Sequence, residues 1–240
     1  MESRGSSGRY LAIGDIHGCR TALETLLRVA EPAVDDVIVT LGDYVDRGPD
    51  TAGVLTLILE LGASHELVAL RGNHEIMMLD ACAQQSWQET WLRAGGRETL
   101  RSYAENGEGS GTFADIPAAH LDFLANRLQP YYECDTHFFV HANADPRMAL
   151  TAQSDPNLYW RRYRNPDPHC SGKVMVCGHT TQLTGLPATN GHSICIDTWP
   201  YGEGWLTCLD AVGGTIWQAN ERGQTRTLHV DELAHASGQI

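Results

Sequence analysis

Five short apolar runs in this sequence each end in polar residues that could bind metal ions or move protons. The motifs that follow these runs are Gly14-Asp15-Ile16-His17-Gly18, Gly42-Asp43-Tyr44-Val45-Asp46-Arg47-Gly48, Arg71-Gly72-Asn73-His74-Glu75, His141-Ala142 and Gly178-His179. An apolar run that ends in a glycine-bounded polar loop is typical of a buried strand that delivers a functional loop. The segment 42–48 alone fits a solvated turn equally well. Five such strand ends together indicate a catalytic site.

The candidate metal ligands carry oxygen or imidazole donors, and they are Asp15, His17, Asp43, Asn73, His141 and His179. Such a mixed set suits manganese, iron or zinc better than calcium, and the lack of thiolates disfavours a closed structural zinc site. Six ligands are too many for one open catalytic ion, so they predict two divalent ions about 3.5–4 Å apart, bridged by one carboxylate. We expect manganese, with iron or zinc as alternatives. Such a pair would activate a bridging water for in-line attack at phosphorus.

Further polar residues in the same motifs could complete a phosphoryl-transfer reaction. His74 can protonate the leaving oxygen, and Asp46 can hold its imidazole in the right tautomer. The guanidinium groups that could bind the non-bridging phosphate oxygens belong to Arg47, Arg71 and one of Arg161 and Arg162. Neither a Gly-x-Ser-x-Gly elbow nor a nucleophilic cysteine loop is evident. The sequence therefore predicts direct attack by a metal-bridging hydroxide, without a covalent intermediate.

The charge of the chain restricts its partners. A formal net charge of −13 over 240 residues argues against a general nucleic-acid-binding surface and against an anionic-membrane surface. It does not argue against an anionic substrate, because bound cations would invert the local field. A hydrophobic content of 42%, with no apolar run near the ~20 residues of a membrane span, is ordinary for a globular protein.

Two further features predict the compartment. Residues 1–8 are polar and lack the apolar stretch of a signal peptide, so we expect a disordered lead-in and a cytoplasmic protein. The seven cysteines are odd in number and contain no Cys-x-x-Cys pair. A disulfide framework is therefore not expected, which fits a reducing cytosol.

Alternating strand and helix patterns position the first three motifs. The segments 19–30 and 49–62, which separate three predicted strands, have the apolar periodicity of helices, and Gly62 is the expected end of the second helix. A β-α-β-α-β run of this kind predicts parallel strands. Ligands gather at the carboxyl ends of such strands, where the candidate residues of the first three motifs stand.

The rest of the chain changes character. A third helix is expected over 75–83, and another over 117–128. Residues 84–112 indicate two short helices and a flexible loop, inserted as a small cap beside the site. Later strands are expected at 131–135, 137–140, 173–177, 193–197, 205–210 and 214–218. These short strands predict an antiparallel or mixed second sheet.

The five motifs together resemble those of the phosphoprotein phosphatase family of metallophosphoesterases, in particular its small bacterial and phage-type members. The family's motifs occur here at 14–18, 42–48, 72–75, His141 and 178–180. The resemblance implies an α/β fold, namely a metallophosphoesterase-type β-sandwich of two mixed sheets flanked by helices, with a small helical cap and a dimetal site at one edge. The implied calcineurin-like domain covers 9–220, with the insertion at 84–112 and a C-terminal tail over 221–240.

The resemblance also implies individual roles. One ion would be held by Asp15, His17 and His179, the other by Asn73 and His141, with Asp43 as the bridge and with His74 and Asp46 as the acid pair. Small bacterial members carry a Trp-x-Arg that matches Trp160-Arg161-Arg162, which favours Arg162 as the phosphate ligand. Two departures stand out, because Trp199-Pro200-Tyr201 and Asn143 occupy positions where glycine is common in the family.

Three functions are compatible with these motifs. We expect dimetal-dependent hydrolysis of phosphate monoesters, with phosphoserine or phosphothreonine of a protein or peptide as substrate and without nucleic-acid or membrane partners. The alternative is a symmetrical dinucleoside tetraphosphate hydrolase on the same scaffold. An inactive binding module is disfavoured, because all ligands and the pair His74 and Asp46 are intact. The first two functions differ in the cap and the rim of the site, and no oligomeric state is predicted.

Overall fold

The computed structural model describes residues 8–104 and 109–236, so the lead-in except Gly8, residues 105–108 of the insertion and residues 237–240 of the tail lie outside it. The strands in the described ranges are β1 (Tyr10–Ile13), β2 (Val37–Thr40), β3 (Glu66–Ala69), β4 (Tyr131–Glu133), β5 (His137–Val140), β6 (Val174–Cys177), β7 (Ala188–Thr189), β8 (Ser193–Cys195), β9 (Leu206–Asp210), β10 (Thr215–Ala219) and β11 (Thr225–His229). They form two mixed sheets, in the orders β11-β10-β9-β1-β2-β3 and β4-β5-β6-β8-β7. The expected α/β fold with two mixed sheets is confirmed.

Helices flank the sheets and connect their strands. The α-helices are α1 (Arg20–Ala30), α2 (Thr51–Ser64), α3 (Asn73–Ala83), α4 (Gln85–Trp91), α5 (Arg97–Ser102), α6 (Ala118–Asp122) and α7 (Val230–Ala236). Single π-helical turns lie at Leu92–Gly96, Phe123–Arg127 and Pro156–Trp160. No helix within the described ranges is both long and apolar enough to cross a bilayer.

The first three strands are parallel, as predicted, because α1 and α2 return the chain across the first sheet between them. The second helix does not end at Gly62 but continues to Ser64. A glycine inside a helix costs only about 1 kcal/mol relative to alanine. Burial of Leu55, Ile58 and Leu61 on the inner face of α2 offsets that cost.

The C-terminal strands β9, β10 and β11 belong to the first sheet, whereas β9 and β10 were expected in the second. β9 pairs antiparallel with β1, β10 with β9, and β11 with β10. Since β11 lies in the segment 221–240, the first sheet extends beyond the boundary expected at residue 220. Alternating apolar residues identify a strand, but the choice of its partner is made by long-range packing.

Alternation along the strands supplies three hydrophobic layers, one between the sheets and one on the outer face of each sheet. In β2, Val39 packs between the sheets and Ile38 packs under the helices. In β5, Phe139 packs between the sheets and Phe138 packs on the outer side. The two sheets therefore form a sandwich, and the Nδ1–H of His141 after β5 donates to the carbonyl of Leu41 after β2. This bond joins the sheets at the edge where the polar loops emerge.

Candidate active site

The predicted metal ligands lie in loops that leave β1, β2, β3, β5 and β6 at one edge of the sandwich. Backbone hydrogen bonds join these loops: the N–H of Ile16 donates to the carbonyl of Asp43 at 3.1 Å, and that of Gly178 donates to the carbonyl of His141 at 2.7 Å. Glycines permit close approach, because a Cβ on Gly178 would lie 1.9 Å from a carboxylate oxygen of Asp15. The structure thus brings the loops that carry the six predicted ligands together at one edge.

Asp43 stands at the centre of this ligand cluster. Its Oδ2 lies 3.4 Å from Nε2 of His17, and its Oδ1 lies 3.5 Å from Nε2 of His141. The Oδ1 of Asn73 lies 2.9 Å from Nε2 of His141 and 2.8 Å from Nδ1 of His179. Two groups of donors therefore share Asp43, as a bridging carboxylate requires. The structure groups His179 with Asn73 and His141, rather than with His17 as the resemblance implied.

The three imidazoles in this cluster each turn an unprotonated nitrogen towards its centre. His17 and His141 each donate Nδ1–H to a backbone carbonyl at 2.8 Å, and His179 donates Nε2–H to the carbonyl of Trp160 at 3.2 Å. Because a carbonyl can only accept, the opposite nitrogen of each ring keeps its lone pair for a metal. Burial lowers the pKa of all three, that of His179 to about 4 with help from His141. They are therefore neutral ligands at neutral pH.

Buried carboxylates complete a donor set that fits divalent cations. Burial, followed by the charges of Asp197 and Asp43, raises the pKa of Asp15 well above its ordinary value. Asp15 also accepts the backbone N–H of His179. Burial likewise raises the pKa of Asp197 to about 6. Three carboxylates in one buried region repel one another, and a divalent ion would relieve that repulsion. Asp43, Asn73 and the neutral imidazoles are the residues that would hold it.

His74 differs from the three ligand histidines because it is paired with a carboxylate. Its Nδ1 lies 2.6 Å from Oδ2 of Asp46, and both side chains are buried. Burial alone would lower the pKa of His74, but the carboxylates of Asp43 and Asp46 raise it above its ordinary value. A protonated imidazole is the state that a general acid needs.

The insertion after α3 holds Asp46 in place. The Nε1–H of Trp91 donates to both carboxylate oxygens of Asp46 at 3.0 Å, and the hydroxyl of Thr99 donates to Oδ1 at 2.9 Å. The carbonyl of Gly95, in the turn between α4 and α5, accepts the N–H of Arg47 at 3.2 Å. Trp91 is fully buried, so the insertion that was expected to form a cap supports the acid pair from inside the fold.

Glu75 is a further buried carboxylate, and it fixes the loop that carries Asp43. Its two oxygens accept the backbone N–H groups of Gly72, Asp43 and Tyr44 at 2.8–2.9 Å. Burial, followed by the charge of Asp43, raises the pKa of Glu75 to about 7. The motif at 72–75 contains this residue, but its function in positioning became visible only in the structure.

An open cavity of about 380 Å³ lies over the ligand cluster and is lined by Asp43, Arg47, Asn73, His74, Arg162, His179, Thr180, Thr181, Leu183 and Tyr201. Two of the three predicted phosphate-binding arginines, Arg47 and Arg162, face this cavity. Arg71 instead donates its Nη2–H to the carbonyl of Ala125 at 3.0 Å. Arg47 donates to the hydroxyl of Tyr201 and to Nε2 of His17, both at 3.0 Å.

Backbone strain is concentrated at this edge. Eight non-glycine residues in the described ranges have a positive φ, and five of them are predicted site residues: His17, Asp43, Asp46, Arg47 and His179. Each such conformation costs on the order of 1–3 kcal/mol and persists only where surrounding contacts determine it. The hydrogen bonds described above, to backbone carbonyls and to carboxylates, are the contacts that determine these backbone conformations. They hold the functional side chains at fixed angles.

Comparison with known proteins identifies the family. A family model for calcineurin-like phosphoesterases matches residues 8–182. The chain belongs to this family. It is therefore a metallophosphoesterase, a hydrolase whose family implies divalent metal ions, and its Asp and His clusters could bind them. The resemblance to the phosphoprotein phosphatases is confirmed by these findings and by a relative that matches over most of the chain.

Relatives of the phosphoesterase differ in activity. It is 38% identical to serine/threonine-protein phosphatase 1 of Salmonella typhimurium over 206 residues, which are 81% of this chain and 88% of the relative. It is 46% identical to a symmetrical bis(5'-nucleosyl)-tetraphosphatase of Edwardsiella ictaluri over 148 residues, 59% of this chain and 46% of that protein. A solved structure of a proposed diadenosine tetraphosphatase superposes with a TM-score of 0.64 at 21% identity, covering 94% of this chain and 95% of that one, which shows the fold alone.

Several residues that shape the phosphoesterase site were not assigned from the sequence. Tyr201 lines the cavity, and its ring packs edge-on against His17 with centroids 4.9 Å apart. Trp91 and Thr99 reach Asp46 from about fifty positions along the chain. A tryptophan and a threonine in an insertion carry no local signal of such a contact. Tyr201 could have been suspected from the departure at 199–201, where the family often has glycine.

Proposed function

We propose that the phosphoesterase hydrolyses phosphoserine and phosphothreonine in proteins. The observation that supports this best is the match to serine/threonine-protein phosphatase 1 along 88% of that relative, against 46% of the tetraphosphatase. The proposal includes manganese as the native ion and a cytoplasmic phosphoprotein or phosphopeptide as the substrate.

The rim of the cavity suits a peptide better than two nucleosides. Trp199 is not among its lining residues, and the ring of Trp199 packs against Gly202, where an added Cβ would lie 2.2 Å from it. Tyr201 does line the cavity, but its hydroxyl is bonded to Arg47 and its ring contacts His17. Recognition of bases typically requires free aromatic faces for stacking. The described rim offers little such surface.

The residues of the site have distinct tasks in this reaction. Arg47 and Arg162 would bind the non-bridging oxygens of the phosphate, for which a planar guanidinium is well suited. His74 would donate its proton to the leaving serine or threonine oxygen, while Asp46 keeps the ring oriented and charged. Divalent ions on the Asp and His clusters would supply Lewis-acid polarisation of the phosphoryl oxygens. Glu75 and Trp91 would act only by positioning other groups.

Hydrolysis of dinucleoside tetraphosphates is the second candidate. It is supported by the higher identity, 46%, of the part shared with the Edwardsiella ictaluri tetraphosphatase. The same phosphate-binding and proton-donating groups would serve that reaction. The two functions differ in what binds outside the cavity.

A direct comparison of substrates tests the proposal. We expect kcat/KM for a phosphoserine peptide to exceed that for diadenosine tetraphosphate at least about tenfold, a difference of roughly 1.4 kcal/mol in transition-state binding. The Trp199→Ala variant should change phosphopeptide turnover by less than about threefold, as is usual for residues outside a site. A better kcat/KM for diadenosine tetraphosphate, with a selective rise of its KM in Trp199→Ala, would replace the phosphatase proposal with the second candidate.

A further inference from the structure

We infer that a groove lined by three arginines beside the active-site cavity binds acidic residues that flank the phosphorylated residue of a peptide. This inference rests on the proposed protein phosphatase function. The groove has a volume of about 420 Å³ and is lined by Asn143, Arg161, Arg162, Arg164 and Pro166. Arg162 also lines the active-site cavity, so the groove adjoins the cavity in which the phosphate would bind.

Residues 160–164, called the arginine segment below, are anchored to the active site by their backbone. The carbonyl of Trp160 accepts the ring N–H of His179, and the N–H of Tyr163 donates to the hydroxyl of Thr180 at 2.8 Å. Tyr163 is buried in the core, with its hydroxyl 3.0 Å from that of Ser193. Since Tyr163 fixes the middle of the segment, the guanidinium groups on either side project from a rigid support.

Asn143, whose presence the sequence left unexplained, is part of the same support. Its Nδ2–H donates to the carbonyl of Arg162 at 3.2 Å, and its Oδ1 accepts the N–H of Ala144 at 2.8 Å. A glycine at this position could make neither contact. The asparagine therefore links the loop that begins at His141 to the arginine segment.

The charges of the groove are uncompensated. Arg161, Arg162 and Arg164 are exposed, and within the part of the chain that the structure describes none forms an ion pair with a carboxylate. Other exposed arginines do form such pairs, for example Arg93 with Glu89 at 2.9 Å. Three guanidinium groups without a carboxylate partner in the described ranges, in a chain with a net charge of −13, form a local positive field that attracts anions. Their planar forks match carboxylates.

The lining of the groove favours an acidic peptide over a nucleotide. Its lining residues include no aromatic ring on which a base could stack. Carboxylates of aspartate or glutamate next to the phosphorylated residue would lie within reach of the groove when the phosphate is bound at Arg162. The groove would therefore select phosphorylation sites in acidic sequence.

Three phosphoserine peptides that differ only in their flanking residues, Asp, Ala or Lys, test this inference. At low salt the Asp peptide should have a kcat/KM about threefold to tenfold above the Ala peptide, the sum of two exposed ion pairs of usual strength, and the Lys peptide should have the lowest value. In the double variant Arg161→Gln/Arg164→Gln the Asp and Ala peptides should agree within about twofold. Raising the salt from about 0.05 M to about 0.5 M should reduce the wild-type preference, because exposed charges are screened.

The variant Arg28→Gln is the matched control, because it removes one exposed positive charge from α1, outside both cavities. It should keep the preference for the Asp peptide. Equal kcat/KM for the Asp and Ala peptides in the wild type, or a preference that survives the double variant or is lost in Arg28→Gln, would overturn the inference and leave the phosphatase proposal standing. Turnover of diadenosine tetraphosphate without turnover of any phosphopeptide would overturn both.

Discussion

The active-site cavity has two sides that are built in opposite ways. On the floor, ligands such as Asp43 and His141 are buried, and each is oriented by backbone hydrogen bonds and by neighbouring loops. On the rim, Arg162 and its neighbours Arg161 and Arg164 are exposed, and their segment is anchored mainly through its backbone. Preorganised buried charge changes a reaction barrier strongly, whereas exposed charge contributes little and is screened by salt. The floor should therefore determine the rate, and the rim should determine the choice of substrate.

The largest effect is expected at the centre of the floor. Asp43→Asn removes a charge that both donor groups share, and the loss of one catalytic electrostatic element is typically worth about 10²–10³-fold. Because two groups are affected, kcat/KM for an aryl phosphate should fall by about 10⁴-fold, with reduced metal content by elemental analysis. The exposed carboxylate variant Asp135→Asn is the control. Near-normal turnover with a full metal complement in Asp43→Asn would contradict the shared-ligand assignment.

The second-largest effect is expected at His74, and it distinguishes proton transfer from metal binding. His74→Asn should lower kcat for alkyl phosphates by about 10³-fold, within the usual range for general acid catalysis. Activated aryl phosphates, whose leaving group needs little protonation, should lose much less, and metal content should remain that of the wild type. His65→Asn, at the end of α2, is the control. An equal loss for both classes of substrate would show that His74 is not the acid.

A smaller effect is expected where the insertion supports the acid. Trp91→Phe removes the N–H that holds both oxygens of Asp46, so kcat for alkyl phosphates should fall about tenfold, a loss of about 1.4 kcal/mol for hydrogen bonds to a charged group. Aryl phosphates should be less affected, as in His74→Asn, which distinguishes positioning from general destabilisation.

Trp87→Phe in the same helix is the control, since the ring of Trp87 is 49% exposed. If Trp91→Phe folds poorly, Thr99→Val can be used instead. It removes the other hydrogen bond that the insertion donates to Asp46, with little change of volume. Equal losses for alkyl and aryl phosphates in both variants would contradict the positioning role.

The smallest effect concerns the contact between floor and rim. Tyr201→Phe removes the hydroxyl that accepts a hydrogen bond from Arg47, so KM for aryl phosphates should rise about threefold, within the usual worth of one hydrogen bond, and kcat should change little. Tyr131→Phe on β4 is the control. A large fall in kcat instead would place Tyr201 among the groups that determine the rate.

Many residues of the floor were predictable from the sequence, because they lie in short motifs directly after predicted strands. Asp15, Asp43 and Asn73 come after parallel strands, and the carboxyl ends of such strands meet at one edge of a sheet. The α/β class and the family likeness were accessible for the same reason, and the two mixed sheets were expected from that likeness. The roles of the individual ligands stay predictions, although the structure does bring the loops that carry these ligands together.

Long-range packing decided the rest. Three contacts join segments that are distant in the sequence, and no local pattern predicts them. They are the pairing of β9 with β1, the hydrogen bond from Trp91 to Asp46 across 45 positions and the hydrogen bond from Arg71 to the carbonyl of Ala125. The arginine groove likewise exists because Tyr163 is buried and Asn143 reaches the carbonyl of Arg162. The sequence by itself determined which chemical groups this phosphoesterase carries at its strand ends. Tertiary structure alone decided how those groups are held and what surrounds them, since burial and hydrogen-bond partners are properties of the packed chain.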